Sequence, residues 1–243
     1  IGFSKGIISA ASLLCLASLA QAETVREYNE PTRGFFIEHG MAKGYGQASA
    51  ELHSGSDGLD AGGGIRLGLP KGELIINSGL NSYDGNEVML KWGMEDVKLN
   101  GEEGNDLNWV AIVAVSDVDT EDRNGNSLVD QTNIKVGVAL TVDADAATFT
   151  LAPKFVHVDG DKKDDDFFDV DLGAYVGIID TEAGLFSLGA EALFTSEDDV
   201  DNAYAFGGRW AYNNRLTLDF VPFVFSDGDQ VGFPGLVRAN FNF

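Results

Sequence analysis

The chain has 243 residues, of which 39 are acidic and 16 are basic, and it contains a single cysteine. A hydrophobic fraction of 44% excludes an acidic disordered chain, and one cysteine excludes an intramolecular disulfide. The formal net charge of -23 repels phosphate backbones, so the composition argues against nucleic-acid binding and favours cations as partners.

The first 22 residues have the order of a secretory signal. Lys5 is followed by an apolar run that ends in the small residues around Gln21. A basic start, an apolar core and a small-residue end are the three parts of a signal peptide, and the run is shorter than the roughly 20 residues of a transmembrane helix. We therefore predict a signal peptide over 1–22, a periplasmic lead-in over 23–40 and the folded part over 41–243.

From residue 41 onward, apolar side chains recur at every second position. The clearest runs extend from Ile134 to Val142 and from Phe168 to Ile178. A period of two is that of a β-strand, and about twelve such segments can be distinguished. Short connections, such as 143–146, alternate with longer acidic ones, such as 117–130. The pattern predicts an antiparallel sheet with one end of tight turns and one end of long loops.

The face opposite the apolar one consists mainly of Gly, Ala, Ser, Thr and Asn with scattered charges. A soluble β-sandwich would carry more charge on its outer face. In a membrane barrel the apolar face points to lipid and the polar face lines the lumen, and closure of the sheet leaves no unpaired backbone edge. The alternation therefore favours a closed transmembrane β-barrel of about twelve strands.

These features resemble those of Gram-negative outer-membrane β-barrel proteins of the porin type. The resemblance rests on the signal sequence, the alternation of tight turns with long loops and the last strand, which ends in Phe241, Asn242 and Phe243. It implies an outer-membrane location, periplasmic termini and an assembly signal in Phe241 and Phe243 that the barrel assembly machinery reads. The last strands are also similar to those of YfaZ-type outer-membrane proteins, with a Gly-rich final pair joined by an Asp-Gly loop.

The alternation assigns seven basic and six acidic side chains to the lumen. Because their charges nearly cancel, the lumen is interpreted either as a network of ion pairs that closes the barrel or as a narrow hydrated pore. The many small lumen residues favour the pore, since they leave room for water. The predicted lumen residues are Lys43, Glu51, Arg66, Lys91, Glu95, Lys135, Lys154, Asp169, Asp171, Glu191, Arg209, Asp219 and Arg238.

One acidic loop partly matches a calcium-binding loop. Asp122, Asn124, Asn126 and Asp130 present oxygen ligands at spaced positions, but Ser127 stands where such loops carry glycine and Asn133 where they carry glutamate. A solvated Asn-Gly turn explains the same residues. No cofactor is expected otherwise, and Ca²⁺ or Mg²⁺ bound loosely at the acidic loops, bridging them to lipopolysaccharide phosphates, stays open.

An enzyme is the rival class, because some outer-membrane barrels are lipases or proteases. The only histidines are His39, His53 and His157, and His53 and Ser54 are neighbours on a strand, so they face opposite ways. We therefore predict that the protein is not an enzyme.

The sequence thus predicts a small passive channel for ions or small solutes, whose acidic extracellular mouth attracts cations. The alternative is a closed structural or surface-interaction barrel whose loops bind divalent cations, lipopolysaccharide or a partner protein. Outer-membrane lipid is an expected partner in both cases, and the Gly- and Ala-rich outer face around Gly44 to Ala50 leaves a homo-oligomer open.

Overall fold

The computed structural model describes residues 33–39, 41–55, 61–79, 83–93, 97–98, 105–121, 127–144, 147–160, 164–197, 200–213, 215–226, 229–232 and 235–243. The predicted signal peptide and its cleavage site lie outside these residues. Fourteen strands occur in the described part: β1 (Ala48–Ser54), β2 (Gly62–Leu69), β3 (Gly72–Gly79), β4 (Tyr83–Trp92), β5 (Val97–Lys98), β6 (Asn105–Glu121), β7 (Ser127–Ala144), β8 (Ala147–Gly160), β9 (Asp165–Thr181), β10 (Gly184–Thr195), β11 (Ala203–Asn213), β12 (Leu216–Ser226), β13 (Asp229–Gly232) and β14 (Leu236–Asn242).

Twelve of these strands form a closed antiparallel barrel, as predicted. Each pairs with the next along the chain, and β14 pairs with β1, where Ala50 lies opposite Phe241, so the sheet has no free long edge. The two short strands, β5 and β13, continue the pairing beside β6 and β12. The paired strands therefore form a closed ring, which is what a sheet in lipid requires.

The strands meet in tight turns at one end of the barrel. Between Leu69 and Gly72, and between Thr181 and Gly184, only two residues separate paired strands. At the other end β6 to β9 extend further than predicted. β6 and β7 have 17 and 18 residues and pair as far as Glu121 and Ser127, so most of the predicted loop 117–130 is strand. A membrane needs about 9–11 residues per strand, so these four strands project beyond it.

The large apolar side chains lie on the outside of the barrel. Ile134, Val138 and Leu172 are 39%, 36% and 41% exposed, whereas their neighbours Ala139 and Asp171 are buried. The burial alternates because successive Cβ atoms point to opposite faces of a strand. Most large apolar residues therefore coat the barrel, and the lumen carries charged and polar residues together with a smaller apolar cluster that includes Ile75, Val110 and Ile112.

Both proline positions within strands coincide with irregular pairing. Pro222 lies where the β11–β12 register shifts between Phe206 and Gly208. Pro153 lies where the β7–β8 pairing is interrupted, between Gly137–Lys154 and Leu140–Leu151. Proline has no backbone N–H to donate to a neighbouring strand, so each of these prolines lies where an inter-strand hydrogen bond is missing.

The described part of the predicted lead-in lies in the lumen of the barrel. Residues 33–39, the lumen segment, form a tight turn with a bridge between Arg33 and Glu38 and a hydrogen bond from Gly34 N to Ile37 O of 2.8 Å. Phe35 and Ile37 are 0% and 1% exposed. The segment enters the lumen because buried charges of the wall bind its backbone, as described below. Residues 23–32 lie outside the described part.

No helix in the described part of the chain is long and apolar enough to cross a bilayer.

Candidate functional site in the barrel lumen

The described lumen residues of the predicted set face the barrel axis. Nine are buried, namely Lys43, Glu51, Arg66, Lys91, Asp171, Glu191, Arg209, Asp219 and Arg238. Lys135, Lys154 and Asp169 are partly buried on the same face. Glu95 lies outside the described residues.

Three wall residues bind the backbone of the lumen segment. Glu191 accepts hydrogen bonds from Phe35 N and Phe36 N, the second at 2.8 Å. Arg238 donates to Phe35 O at 2.8 Å and to Gly34 O at 2.6 Å, and Arg209 donates to Gly34 O at 3.2 Å. A carboxylate and two guanidinium groups therefore satisfy backbone groups that the turn leaves unpaired, and such charge-assisted bonds are the strong ones.

The two arginines share one carboxylate, that of Asp219. Arg209 Nε lies 2.6 Å from Asp219 Oδ1, and Arg238 Nε lies 2.9 Å from Asp219 Oδ2. Neighbouring strand registers bring the three together, since Asp219 lies opposite both Arg209 and Arg238. The carboxylate thus holds both guanidinium groups in position for the lumen segment.

A second contact joins the side chain of Glu38 to the opposite wall. Arg66 donates two hydrogen bonds to Glu38, at 2.6 and 3.0 Å, and Lys91 donates one at 3.2 Å. Burial alone would raise the pKa of Glu38, but the charges of Arg66 and Lys91 outweigh it and hold the pKa well below its usual range. Glu38 is therefore a buried carboxylate that stays ionised.

Lumen glycines make room for the segment. A Cβ on Gly189 would lie 2.5 Å from Tyr175 Cδ1 and 2.8 Å from Phe35 Cε2, and one on Gly173 would lie 2.5 Å from Ile37 Cδ1. Phe35 packs edge-on against Tyr175, with ring centroids 5.4 Å apart. The lumen segment therefore fills part of the volume that the small lumen residues leave open and that water would occupy in a pore.

A cavity of about 150 Å³ remains beside the lumen segment. One side carries two ion pairs, Lys135 with Glu87 at 3.1 Å and Lys154 with Asp171 at 2.5 Å. Met89, Ile112 and Ala152 line the same wall as these pairs, with Ala152 opposite Asp171 in the β8–β9 pairing, while Arg33, Phe36 and Glu38 of the segment also border the cavity.

The predicted lumen set does not contain several ionisable residues that the structure places in the lumen, among them Arg33, Glu38, His39, Glu73 and Glu87. The first three belong to the lead-in, which has no strand periodicity to show a lumen position. Glu73 and Glu87 lie near strand ends, where Glu73 is fully buried and Glu87 binds Lys135. Extending the two-residue alternation of β3 and β4 towards the start of each strand predicts a lumen position for both side chains.

The tentative calcium ligands are not brought together in the described residues. Asp122, Asn124 and Asn126 lie outside them, and Asp130 is an exposed residue of β7 opposite Asp119. Among the residues that the structure describes, no group of three or more His, Cys, Asp or Glu side chains is arranged to hold a metal ion.

The three histidines occupy different levels of the barrel. His39 is buried in the lumen segment, with its ring 5.2 Å from that of Tyr175, and neither nitrogen has a hydrogen-bond partner among the residues that the structure describes. His53 Nδ1 lies 3.9 Å from Glu51, and His157 Nδ1 lies 2.8 Å from Asp166 at the long-loop end. Ser54 faces the other side of β1 from His53, as the alternation predicts.

The C-terminal residues close the barrel. Phe243 exchanges two backbone hydrogen bonds with Ala48, at 2.8 and 3.2 Å, and its side chain is 79% exposed. Phe241 is also exposed on the outer face, at 42%.

No model of a protein family matches the chain, the YfaZ-type family included, and no curated protein matches it. Among solved structures it is similar to the NanC porin in its rhombohedral crystal form, with a TM-score of 0.45 and 15% identity over 81% of this chain and 96% of that one. It is also similar to a loop L8 deletion mutant of OmpT, an outer membrane protein of Vibrio cholerae, with a TM-score of 0.38 and 10% identity over 82% and 98%.

The closed sheet, the apolar outer face and the polar lumen are observed in this structure itself. They are the three properties that a β-sheet needs to span a bilayer. The chain has the architecture of a closed transmembrane β-barrel.

Proposed function

We propose that the protein is a small passive channel of the bacterial outer membrane, in which the lumen segment sets how much passes. The observation that carries the proposal is that a separate piece of chain occupies the lumen through polar contacts, beside a charged cavity. Water and ions can replace polar contacts of this kind, so the segment can leave the lumen. In a lumen filled by interdigitated side chains of the wall, no separate segment could leave to open a path.

The position of the C-terminal end supports an orientation. The start of β1 and the C-terminal Phe243 belong to the end with tight turns, and in outer-membrane barrels short turns face the periplasm. We propose that both termini are periplasmic and that Phe241 and Phe243 form the signal for the assembly machinery. Aromatic side chains on the outer face at this end, such as Trp92 and Tyr212, suit the membrane interface.

The extracellular mouth would then be acidic. Asp130, Asp159, Asp164 and Asp166 are exposed at the long-loop end, on the strands that project beyond the membrane and beside them. Carboxylates grouped around an opening raise the local concentration of cations. The proposed channel therefore favours cations, and the same groups are the proposed attachment points for Ca²⁺ or Mg²⁺ and for lipopolysaccharide.

A closed barrel with a surface-interaction role is the second candidate. It is favoured by the ion pairs that fill the middle of the lumen, such as those of Asp219 with Arg209 and Arg238. In that case the loops would carry the function, by binding divalent cations, lipopolysaccharide or a partner protein.

Planar-bilayer recording of the full chain separates these candidates. The channel predicts a small, cation-favouring conductance that rises when Glu38→Gln weakens the hold of Arg66 and Lys91 on the lumen segment. Glu182→Gln is the matched control, because Glu182 is exposed in a tight turn away from the lumen. The absence of conductance in all three proteins would rule out the channel and leave the closed barrel. Cell fractionation with heat-modifiable migration on an SDS gel tests the outer-membrane location.

A further inference from the structure

The lumen cavity combines equal numbers of charges of both signs with apolar lining residues. Its charged lining residues are Arg33, Lys135, Lys154, Glu38, Glu87 and Asp171, three of each sign. Arg33 and Glu38 are bound to Glu51 and to Arg66, which leaves two ion pairs to face the cavity.

The pair of Lys135 with Glu87 is more open to water than the pairs that hold the lumen segment. The side chains of Lys135 and Glu87 are 30% and 19% exposed, against 2% and 3% for Arg238 and Asp219. A solute can therefore reach Lys135 and Glu87 without first breaking the contacts that anchor the segment.

The charge balance decides which solutes can bind. A solute carrying only a carboxylate would bind a lysine and leave Glu87 or Asp171 without a partner, and an uncompensated charge in a confined site is costly. A solute carrying only an ammonium group would leave a lysine unpaired. A solute with both groups can exchange partners with one pair and leave no charge unpaired.

Apolar residues add a second requirement. Met89, Ile112 and Ala152 lie between the charged residues on the same wall, and Met89, at 8%, is the most exposed of the three. The cavity volume of about 150 Å³ is on the scale of a small organic solute.

We propose that this cavity is a binding subsite for small zwitterionic solutes with an aliphatic side chain, of the α-amino acid class. The solute's carboxylate binds Lys135 or Lys154, its ammonium group binds Glu87 or Asp171, and its side chain packs on Met89, Ile112 and Ala152. As a step of passage the subsite rests on the proposed channel function, but its occupancy can be measured separately.

Calorimetric titration of the folded, detergent-solubilised full chain tests the subsite, with leucine as the probe. N-acetyl-leucine retains only the negative charge and leucinamide only the positive one, so both are expected to bind at least about tenfold more weakly than leucine, a difference of about 1.4 kcal/mol. Equal binding of the three probes, or no binding of leucine, overturns the proposal.

Variants locate the binding within the barrel. Glu87→Gln with Lys135→Gln removes the more open of the two ion pairs and should reduce the preference for leucine, because only the pair of Lys154 with Asp171 remains. Ala152→Phe fills the cavity and keeps every charge, so it should abolish binding. His157→Gln with Asp166→Asn removes a pair at the outer rim and should leave binding unchanged. Heat-modifiable migration verifies that each variant is folded, and leucine binding that survives in a folded Ala152→Phe protein overturns the proposal.

Liposome swelling separates this proposal from the channel. Leucine entry faster than that of its two derivatives supports both. Entry at equal rates, with no preference in the titration, overturns the subsite and leaves the channel. Leucine binding without entry of any solute overturns the channel and leaves the subsite.

Discussion

Glu38 and Arg66 join the lumen segment to the barrel wall through two hydrogen bonds of 2.6 and 3.0 Å between a carboxylate and a guanidinium group. The two residues lie 28 positions apart, and the bond between them joins the lumen segment to strand β2. The opposite side of the segment is bound by Glu191, Arg209 and Arg238. The position of residues 33–39 is thus determined by charged groups on both sides, and each of these groups can be tested.

Acidification should weaken the hold on the lumen segment through His39. Burial, together with the charge of Arg209, keeps the pKa of His39 well below its ordinary value, so the imidazole is neutral in the bound segment. A released segment would take up a proton below about pH 6.5, the ordinary histidine pKa, so release becomes more favourable as pH falls, by up to about 1.4 kcal/mol per pH unit.

The measurement is open probability in a planar bilayer between pH 7.5 and 5.5, for the unaltered protein and for His39→Gln. We expect it to rise on acidification more in the unaltered protein than in the variant, and the difference isolates His39 from the other lumen groups. The pKa of Glu38 is also lowered, so its contribution to binding is fully present above its ordinary pKa of about 4.3 and is lost only in stronger acid. Identical pH profiles for the two proteins would contradict the prediction.

Gly189→Leu should expel the lumen segment by steric conflict. Its Cβ alone would come within 2.5 Å of Tyr175 and 2.8 Å of Phe35, and overpacking of this kind costs about 1–3 kcal/mol. Release exposes Arg33, so trypsin should cleave after it faster in the variant, as followed by mass spectrometry. Gly208→Ala is the control, because its Cβ would meet its nearest atom at an ordinary 3.7 Å, and its cleavage rate should not change.

Asp219→Asn should destabilise the barrel as well as the lumen segment. The carboxylate is the partner of both Arg209 and Arg238, and removing one member of a buried ion pair costs about 3–5 kcal/mol. Urea unfolding in lipid measures the change. Asp166→Asn alters a carboxylate that is 63% exposed and should change stability by less than about 1 kcal/mol. Equal effects of the two substitutions would show that the buried network adds no stability.

Val113→Lys tests the membrane-facing surface. Val113 is 46% exposed near the middle of β6, and a lysine at the bilayer midplane costs about 2–4 kcal/mol. We expect a smaller folded fraction after refolding into liposomes. Asp130→Lys, on the projecting part of β7, should refold as the unaltered protein does. A Val113→Lys protein that folds fully would mean that this face does not contact lipid.

The alternation along each strand determined a large part of this structure without any tertiary information. Ile134 and Lys135 are consecutive, and the rule that neighbouring Cβ atoms point to opposite faces is enough to place one outside and the other inside. The same rule predicted the twelve-stranded closed barrel and the lumen face of the basic and acidic wall residues. It holds because the period is a property of the local backbone.

Only the tertiary structure decided what occupies the lumen. Phe35 and Glu191 are 156 positions apart, and the backbone bond between them depends on a terminal segment with no period of its own. Small lumen residues such as Gly173 and Gly189 are equally compatible with water and with a segment of the chain in the lumen. A glycine leaves volume open, but it does not determine what fills that volume. Charge pairing across the barrel, which no local pattern encodes, determined that the occupant is residues 33–39.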